Sequence, residues 1–182
     1  MTTAEKLIWQ IDLYHQAVNA GIFDHRDIEL LEGELIKMSP EGTPHAGAIR
    51  DLARFLTFQL GNRAEVSDGH PVTLSETSEP EPDIAIVQPL GKVYRDHHPY
   101  PENIFWLIEF SNSSLEQDLG QKQRIYAMAE ISEYWVVNLR QQQVHVYRQP
   151  QEGEYQISEV VRDGSLTPEA FPDVQVDLRE LF

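Results

Sequence analysis

Two runs of apolar residues stand out along the chain, Ile104 to Phe110 and Tyr134 to Leu139. Neither alternates with polar positions, which is how strands covered on both faces read. Between them Ser111 to Ser114 supply turn and N-cap chemistry, and Leu115 to Ala129 carries a helical period that ends before Ile131-Ser132. The segment therefore reads as a β-α-β unit, two parallel neighbours joined by a right-handed crossover helix. The helix stripe turned to the sheet is expected at Leu115, Leu119, Lys122, Tyr126 and Ala129. Glu109 is the one charge in the first strand, and Lys122 lies in the middle of the stripe. Each alone has a bland explanation, a strand-end carboxylate near water or a lysine whose stem covers apolar surface. Two such charges delivered by one unit to facing elements point to a site.

The same patterns order the rest of the chain. Thr2-Thr3-Ala4-Glu5 has the form of a capping box, and Leu7, Ile8, Ile11 and Tyr14 recur at helical spacing, so a first helix is expected to about Val18. Ile28 to Leu31 and Glu34 to Met38 read as short strands joined at Glu32-Gly33, with Glu34 on a solvated face. Thr43 as N-cap and Pro44 behind it open a helix whose apolar face is Ile49, Leu52, Ala53, Leu56 and Leu60. His45 stands at its entry, either as a capping-region residue or at the edge of a site. Arg50 and Arg54 lie together off the apolar face and read as a solvated basic pair. Strands are expected at Glu65 to Ser67 and Pro71 to Leu74, around Asp68-Gly69-His70. Pro82-Asp83 leads into Ile84 to Val87, a buried strand with one carboxylate at its start, where Asp83 and Ala85 should share a face. Gln88 to Asn103 is expected as a surface loop with His97-His98 in solvent. Val144 to Arg148 and Tyr155 to Val161 alternate as an antiparallel pair, and the tail from Leu166 to Phe182 should lie over the domain.

At 182 residues the chain fits one domain, residues 1–182, with a sizeable core and no internal repeat. There is no cysteine, which removes disulfides and thiolate ligands and fits a reducing compartment. No basic leader with an apolar stretch precedes the first elements and no run approaches a membrane span, so a cytoplasmic, soluble protein is expected. The formal charge is −16, from 14 Lys and Arg against 30 Asp and Glu. That argues against broad nonspecific attraction to phosphate backbones, unless the basic residues gather in one cleft.

Motifs for other chemistries are missing: there is no Gly-rich phosphate loop, no His-Glu-x-x-His and no Gly-x-Ser-x-Gly. What remains is two buried strands with one carboxylate each and a lysine nearby. Oxygen ligands without thiolates suit a hard cation such as Mg²⁺ or Mn²⁺. Pro82-Asp83, then Glu109, then a lysine close behind resembles the PD-(D/E)XK nuclease superfamily. More narrowly, Ile108-Glu-Phe-Ser-Asn-Ser-Ser-Leu115, Asp118-x-Gly-x-Lys122, Tyr126-Ala127 and Glu133-Tyr-Trp-Val-Val-Asn138 are similar to the large bacterial family of restriction-endonuclease-like domains often called the Uma-two type. Glu32-Gly-Glu-Leu35, Met38-Ser-Pro40 and His45 resemble that family's N-terminal segment. Val176-Asp-Leu178 and Leu181-Phe182 resemble its C-terminus, so the likeness spans nearly the whole chain.

The resemblance implies an α/β (α+β) fold, a restriction-endonuclease-like mixed central sheet flanked by helices. It implies Asp83 and Glu109 as metal ligands with the carbonyl of Phe110 as a third, and Lys122 as their catalytic partner. Glu34, His45 and Asp118 would be supporting residues. The superfamily's usual lysine position, two residues after the glutamate, is Ser111 here, and Lys122 matches the narrower family's place on the following helix. Leu119 stands where an arginine is common and Asn112 where an aspartate is frequent; both changes remove charge near the site. The expected activity is Mg²⁺- or Mn²⁺-dependent hydrolysis of phosphodiester bonds in nucleic acid, with DNA the expected polymer. A catalytically weak or inactive binding module for a protein or nucleic-acid partner is the alternative, and a hydrolase of small phosphoesters a third. A homodimer is expected from the apolar excess of the C-terminal half and from the habit of similar nucleases.

Overall fold

The two apolar runs lie side by side in the middle of a six-stranded sheet, in a computed structural model that describes residues 6–40 and 42–182. They are β5 (Ile104–Ser111) and β6 (Glu133–Asn138), and they pair in parallel. On one side the sheet continues antiparallel through β4 (Ile84–Val87) to β3 (Glu65–Asp68). On the other it continues antiparallel through β7 (Gln143–Gln151) to β8 (Glu154–Val161). The β7–β8 turn is tight because Glu152 and Gly153 both take positive φ, the pairing that matches the twist of a hairpin.

Before the sheet come α1 (Ile11–Asn19), the hairpin of β1 (Ile28–Leu31) and β2 (Glu34–Lys37), and the long helix α2 (Thr43–Leu60). The crossover between β5 and β6 is α3, built from Leu115–Gln117, a π-helical turn Asp118–Lys122, and Gln123–Met128. Two short strands close the chain, β9 (Ser165–Leu166) and β10 (Val176–Asp177), followed by a 3₁₀ turn Leu178–Glu180.

Alternation along β4, β5 and β6 divides the core in two. Ile84, Ile86, Trp106, Ile108, Phe110, Trp135 and Val137 face α2, whose Ile49, Leu52, Ala53, Leu56 and Leu60 are buried against them. The tail completes this layer with Leu166, Phe171, Val174, Val176, Leu178 and Leu181, so the apolar excess of the C-terminal half is consumed inside the chain. On the opposite face Ala85, Val87, Leu107, Tyr134 and Val136 pack against Ile125, Tyr126 and Ala127 of α3, and Leu31 of the hairpin joins them. Glu109 follows Leu107 by two positions and so faces α3.

Several expectations change. The first helix begins at Ile11: before it Trp9 N–H donates to the Gly33 carbonyl of the hairpin rather than into a helix, and Leu7 is 90% exposed. The proposed capping box at 2–5 lies outside the described residues. Thr43 is the first helical residue, behind Gly42 as N-cap. Pro71 to Leu74 does not join the sheet; Val72 and Leu74 donate instead to the carbonyls of Pro80 and Ser78. The loop from Gln88 holds two 3₁₀ turns, Gly91–Arg95 and Pro101–Asn103, and His97 and His98 are half-buried rather than in solvent.

Candidate active site

Asp83, Glu109 and Lys122, the charges that stand out in the apolar strands and the crossover helix, meet at one end of the sheet. β5 runs toward it and β4 starts from it, and the antiparallel register Ile84 opposite Ile108 places Asp83 opposite Glu109. Asp83 Oδ2 accepts the main-chain N–H of Phe110 at 2.6 Å, which fixes the carboxylate at the strand's edge. His45, in the first turn of α2, comes within hydrogen-bond reach of the Phe110 carbonyl and lies 3.4 Å from Asp83 Oδ2. The carbonyl has two lone pairs, so this contact leaves one open.

From the opposite side α3 brings Lys122. Its Nζ is 2.9 Å from Glu109 Oε1 and 3.1 Å from Glu29 Oε2, and all three side chains are almost wholly buried. Tyr126 Oη donates to the same Glu109 oxygen at 2.8 Å. Glu109 Oε1 is thus doubly bonded while Oε2 accepts nothing among the described residues, and the residue lines an open pocket of about 260 Å³. Asp118 enters from the π turn, its Oδ2 accepting the hydroxyls of Ser111 at 2.6 Å and Ser114 at 2.7 Å. The Asp118 carbonyl accepts from Tyr134 Oη, so the backbone of this turn is held by a side chain of the sheet. π turns of this kind occur often at functional sites.

Five carboxylates, Glu29, Glu81, Asp83, Glu109 and Asp118, therefore line a pocket with one buried ammonium. The electrostatics carry the strain of that imbalance. Burial pushes Glu109 well above the usual carboxylate range, with Lys122 opposing it. Burial also raises Asp118 and Glu81, the latter with help from the neighbouring Glu29. For Lys122 burial acts downward, but the charges of Glu109, Glu29 and Asp118 outweigh it and hold the ammonium above its ordinary value. A dication would relieve this surplus, and the donors are hard oxygens throughout. Among the described residues no three His, Asp or Glu side chains are grouped to hold an ion unaided. The set that fits is two carboxylates with a main-chain carbonyl.

Residues 12–179 match the family model Uma2, described as "Putative restriction endonuclease". The chain belongs to that family. No curated protein matches it. Among solved structures it is similar to "a putative nuclease belonging to DUF820" from Anabaena variabilis, at TM-score 0.70 and 17% identity, covering 85% of this chain and 89% of that one. At that identity the likeness is one of fold, and it agrees with the mixed sheet flanked by helices.

Of the supporting residues, His45 and Asp118 line the pocket, while Glu34 lies on the solvated face expected for it. Glu34 is exposed, pairs with Lys6, and takes no part in the pocket. Glu29, one strand earlier and 2% exposed, is the hairpin's contribution. It stands beside Leu30 and Leu31, but the strand is only four residues long, against eight in β5. The hairpin is seated on α3 by Glu32, which accepts from Arg124 at 2.6 Å and from Gln121 at 3.2 Å, and by Gln117 on Glu29. Arg140 Nε donates to Asn112 Oδ1 at 2.8 Å, a neutral partner at the pocket's lining. A larger cleft, about 810 Å³, lies elsewhere, between α1 and the 94–102 segment. It holds His15, 2.8 Å from buried Glu79, and none of the five carboxylates.

Proposed function

We propose that the chain is a Mg²⁺- or Mn²⁺-dependent nuclease that hydrolyses phosphodiester bonds of DNA. The supporting observation is the pairing of Asp83 and Glu109 across adjacent strands, with the Lys122 ammonium behind them. Asp83, Glu109 and the Phe110 carbonyl would hold the cation, which when bound would polarise the phosphate and lower the pKa of an attacking water. Lys122 and Tyr126 clamp Glu109 Oε1 and so turn Oε2 to the pocket. An ammonium has three protons; Glu109 and Glu29 take two, and the third is left for an oxygen in the pocket, where it offsets charge developing on the phosphate. His45 keeps the Phe110 carbonyl aimed. A homodimer is part of this reading, tested by sedimentation at micromolar concentration. No helix of the described residues is long and apolar enough to cross a membrane, and a cytoplasmic location belongs to the same reading.

The test is a titration with Mn²⁺ followed by cleavage assays on duplex DNA, single strands, RNA and nucleotides. Metal-dependent cleavage of DNA that disappears in Asp83→Ala and Glu109→Ala supports the reading. Binding of metal and DNA without cleavage would instead identify a binding module, and turnover of nucleotides alone a small-phosphoester hydrolase.

A further inference from the structure

An acidic pocket that attracts a metal also repels the polymer carrying the scissile phosphate. The cation neutralises the centre, yet the phosphates on either side still face a chain of formal charge −16. Many of the chain's cations already have acidic partners: Arg63 pairs with Asp173, Arg124 with Glu32, Arg148 with Glu133 and Arg179 with Asp177. Lys37 and Arg50 do not. Both are exposed, and neither has a hydrogen bond or ion pair among the described residues.

Their positions are related through Asp83. Lys37, at the end of β2, lines the 260 Å³ pocket with Asp83, Glu109 and Lys122. Arg50, one turn beyond His45 on α2, lines a second pocket of about 210 Å³ with Ala46, Ile49, Asp68, Gly69 and again Asp83. The two pockets share that carboxylate, so the lining runs from Lys37 across Asp83 to Arg50. Residues three and four apart on a helix are neighbours, and Asp51 covers Arg54 in this way; the positions three and four from Arg50 are Ala46, Gly47, Ala53 and Arg54, none of them acidic.

We propose that Lys37 and Arg50 bind the backbone phosphates flanking the scissile one, so that the DNA strand crosses Asp83 between them. This rests on the nuclease reading above and adds the path of the substrate to it. Phosphate contacts of this kind position the strand and carry no sequence information.

The experiment is fluorescence anisotropy of a labelled DNA duplex with Ca²⁺ in place of Mg²⁺, over a range of salt. The double variant Lys37→Ala/Arg50→Ala should bind about tenfold or more weakly and lose about two units of the salt slope, roughly one for each phosphate contact. Lys92→Ala/Arg162→Ala removes the same charge from elements that line neither pocket, and should bind as the unmodified protein does. Arg50→Lys should keep the slope. Equal weakening of both doubles, or duplex binding unchanged in Lys37→Ala/Arg50→Ala, would overturn the assignment. Retained Mn²⁺ affinity in that variant shows that the carboxylate site is intact, so such a failure would leave the nuclease reading standing. No duplex binding by the unmodified protein would sink that reading and this one with it.

Discussion

Glu109 and Glu133 invite comparison, since each is a glutamate in a central strand, each is buried, at 4% and 1% exposure, and each holds a basic partner. Glu133 is saturated. Its Oε1 accepts from Trp135 Nε1 at 2.7 Å and from Arg148 at 2.6 Å, and its Oε2 accepts the Glu169 N–H at 2.7 Å. Arg148 reaches on to the Thr167 carbonyl, so the cluster ties β6 and β7 to the tail. Glu109 has one oxygen doubly bonded and the other open on a pocket, among four further carboxylates. Burial of a charged pair therefore does not mark a site by itself. An open acceptor, an excess of like charge and a cavity beside it do.

The comparison predicts opposite phenotypes. Glu109→Ala and Asp83→Ala should reduce cleavage by on the order of 10²–10³ or more while both proteins still fold, since Lys122 keeps Glu29 as a partner. Glu133→Ala should leave Arg148, Trp135 Nε1 and the Glu169 N–H without their acceptor and cost about 3–5 kcal/mol, read as a lowered denaturant midpoint with Mn²⁺ affinity unchanged. If Glu133→Ala lost metal and kept stability, the distinction between the two glutamates would collapse.

Lys122→Met sharpens the contrast from the cation's side. It should abolish cleavage while Mn²⁺ still binds, because the carboxylates remain. The geometry removes the view of a snorkelling lysine, since Nζ points inward onto Glu109 and Glu29, and its loss leaves both uncompensated. Burial already holds the Glu109 carboxyl well above the unfolded value of about 4.3, and without the opposing ammonium it rises further. A carboxyl whose folded pKa is raised binds protons more tightly in the folded state, so this variant should gain stability as pH falls from neutral toward that value. Denaturant midpoints near neutral and at about pH 5 test the sign. The same upward shifts of Glu109 and Asp118 predict that protons compete with metal, so Mn²⁺ affinity of the unmodified protein should fall across the same interval. The smallest effect belongs to Glu34→Gln, which breaks an exposed pair with Lys6 and should change stability by no more than about 0.5 kcal/mol and cleavage not at all.

What could be read from the residues divides along physical lines. The β-α-β unit was legible because burial on both faces leaves continuous apolar runs, and a charge inside such a run stands out, as Glu109 did. The helical stripe was legible as a period but not in detail. Leu115, Leu119 and Ala129 are only partly buried, and the π turn, where Ser111 and Ser114 bond the Asp118 carboxylate and Tyr134 of β6 bonds its carbonyl, leaves no mark on the period. Glu29 escaped because a four-residue strand gives too short a run for its charge to look misplaced. Helical spacing at Leu7 and Ile8 misled because a period states which residues could share a face, not where the backbone bonds, and here Trp9 N–H is taken by the hairpin carbonyl of Gly33.

The most direct test of the central claim, that Asp83 and Glu109 form one cation site, is the Mn²⁺ binding isotherm of four proteins: unmodified, Asp83→Asn, Glu109→Gln and Glu133→Gln. Saturable binding that is retained in Glu133→Gln and lost in both Asp83→Asn and Glu109→Gln is the predicted result. Equal affinity in Asp83→Asn, Glu109→Gln and the unmodified protein would contradict it.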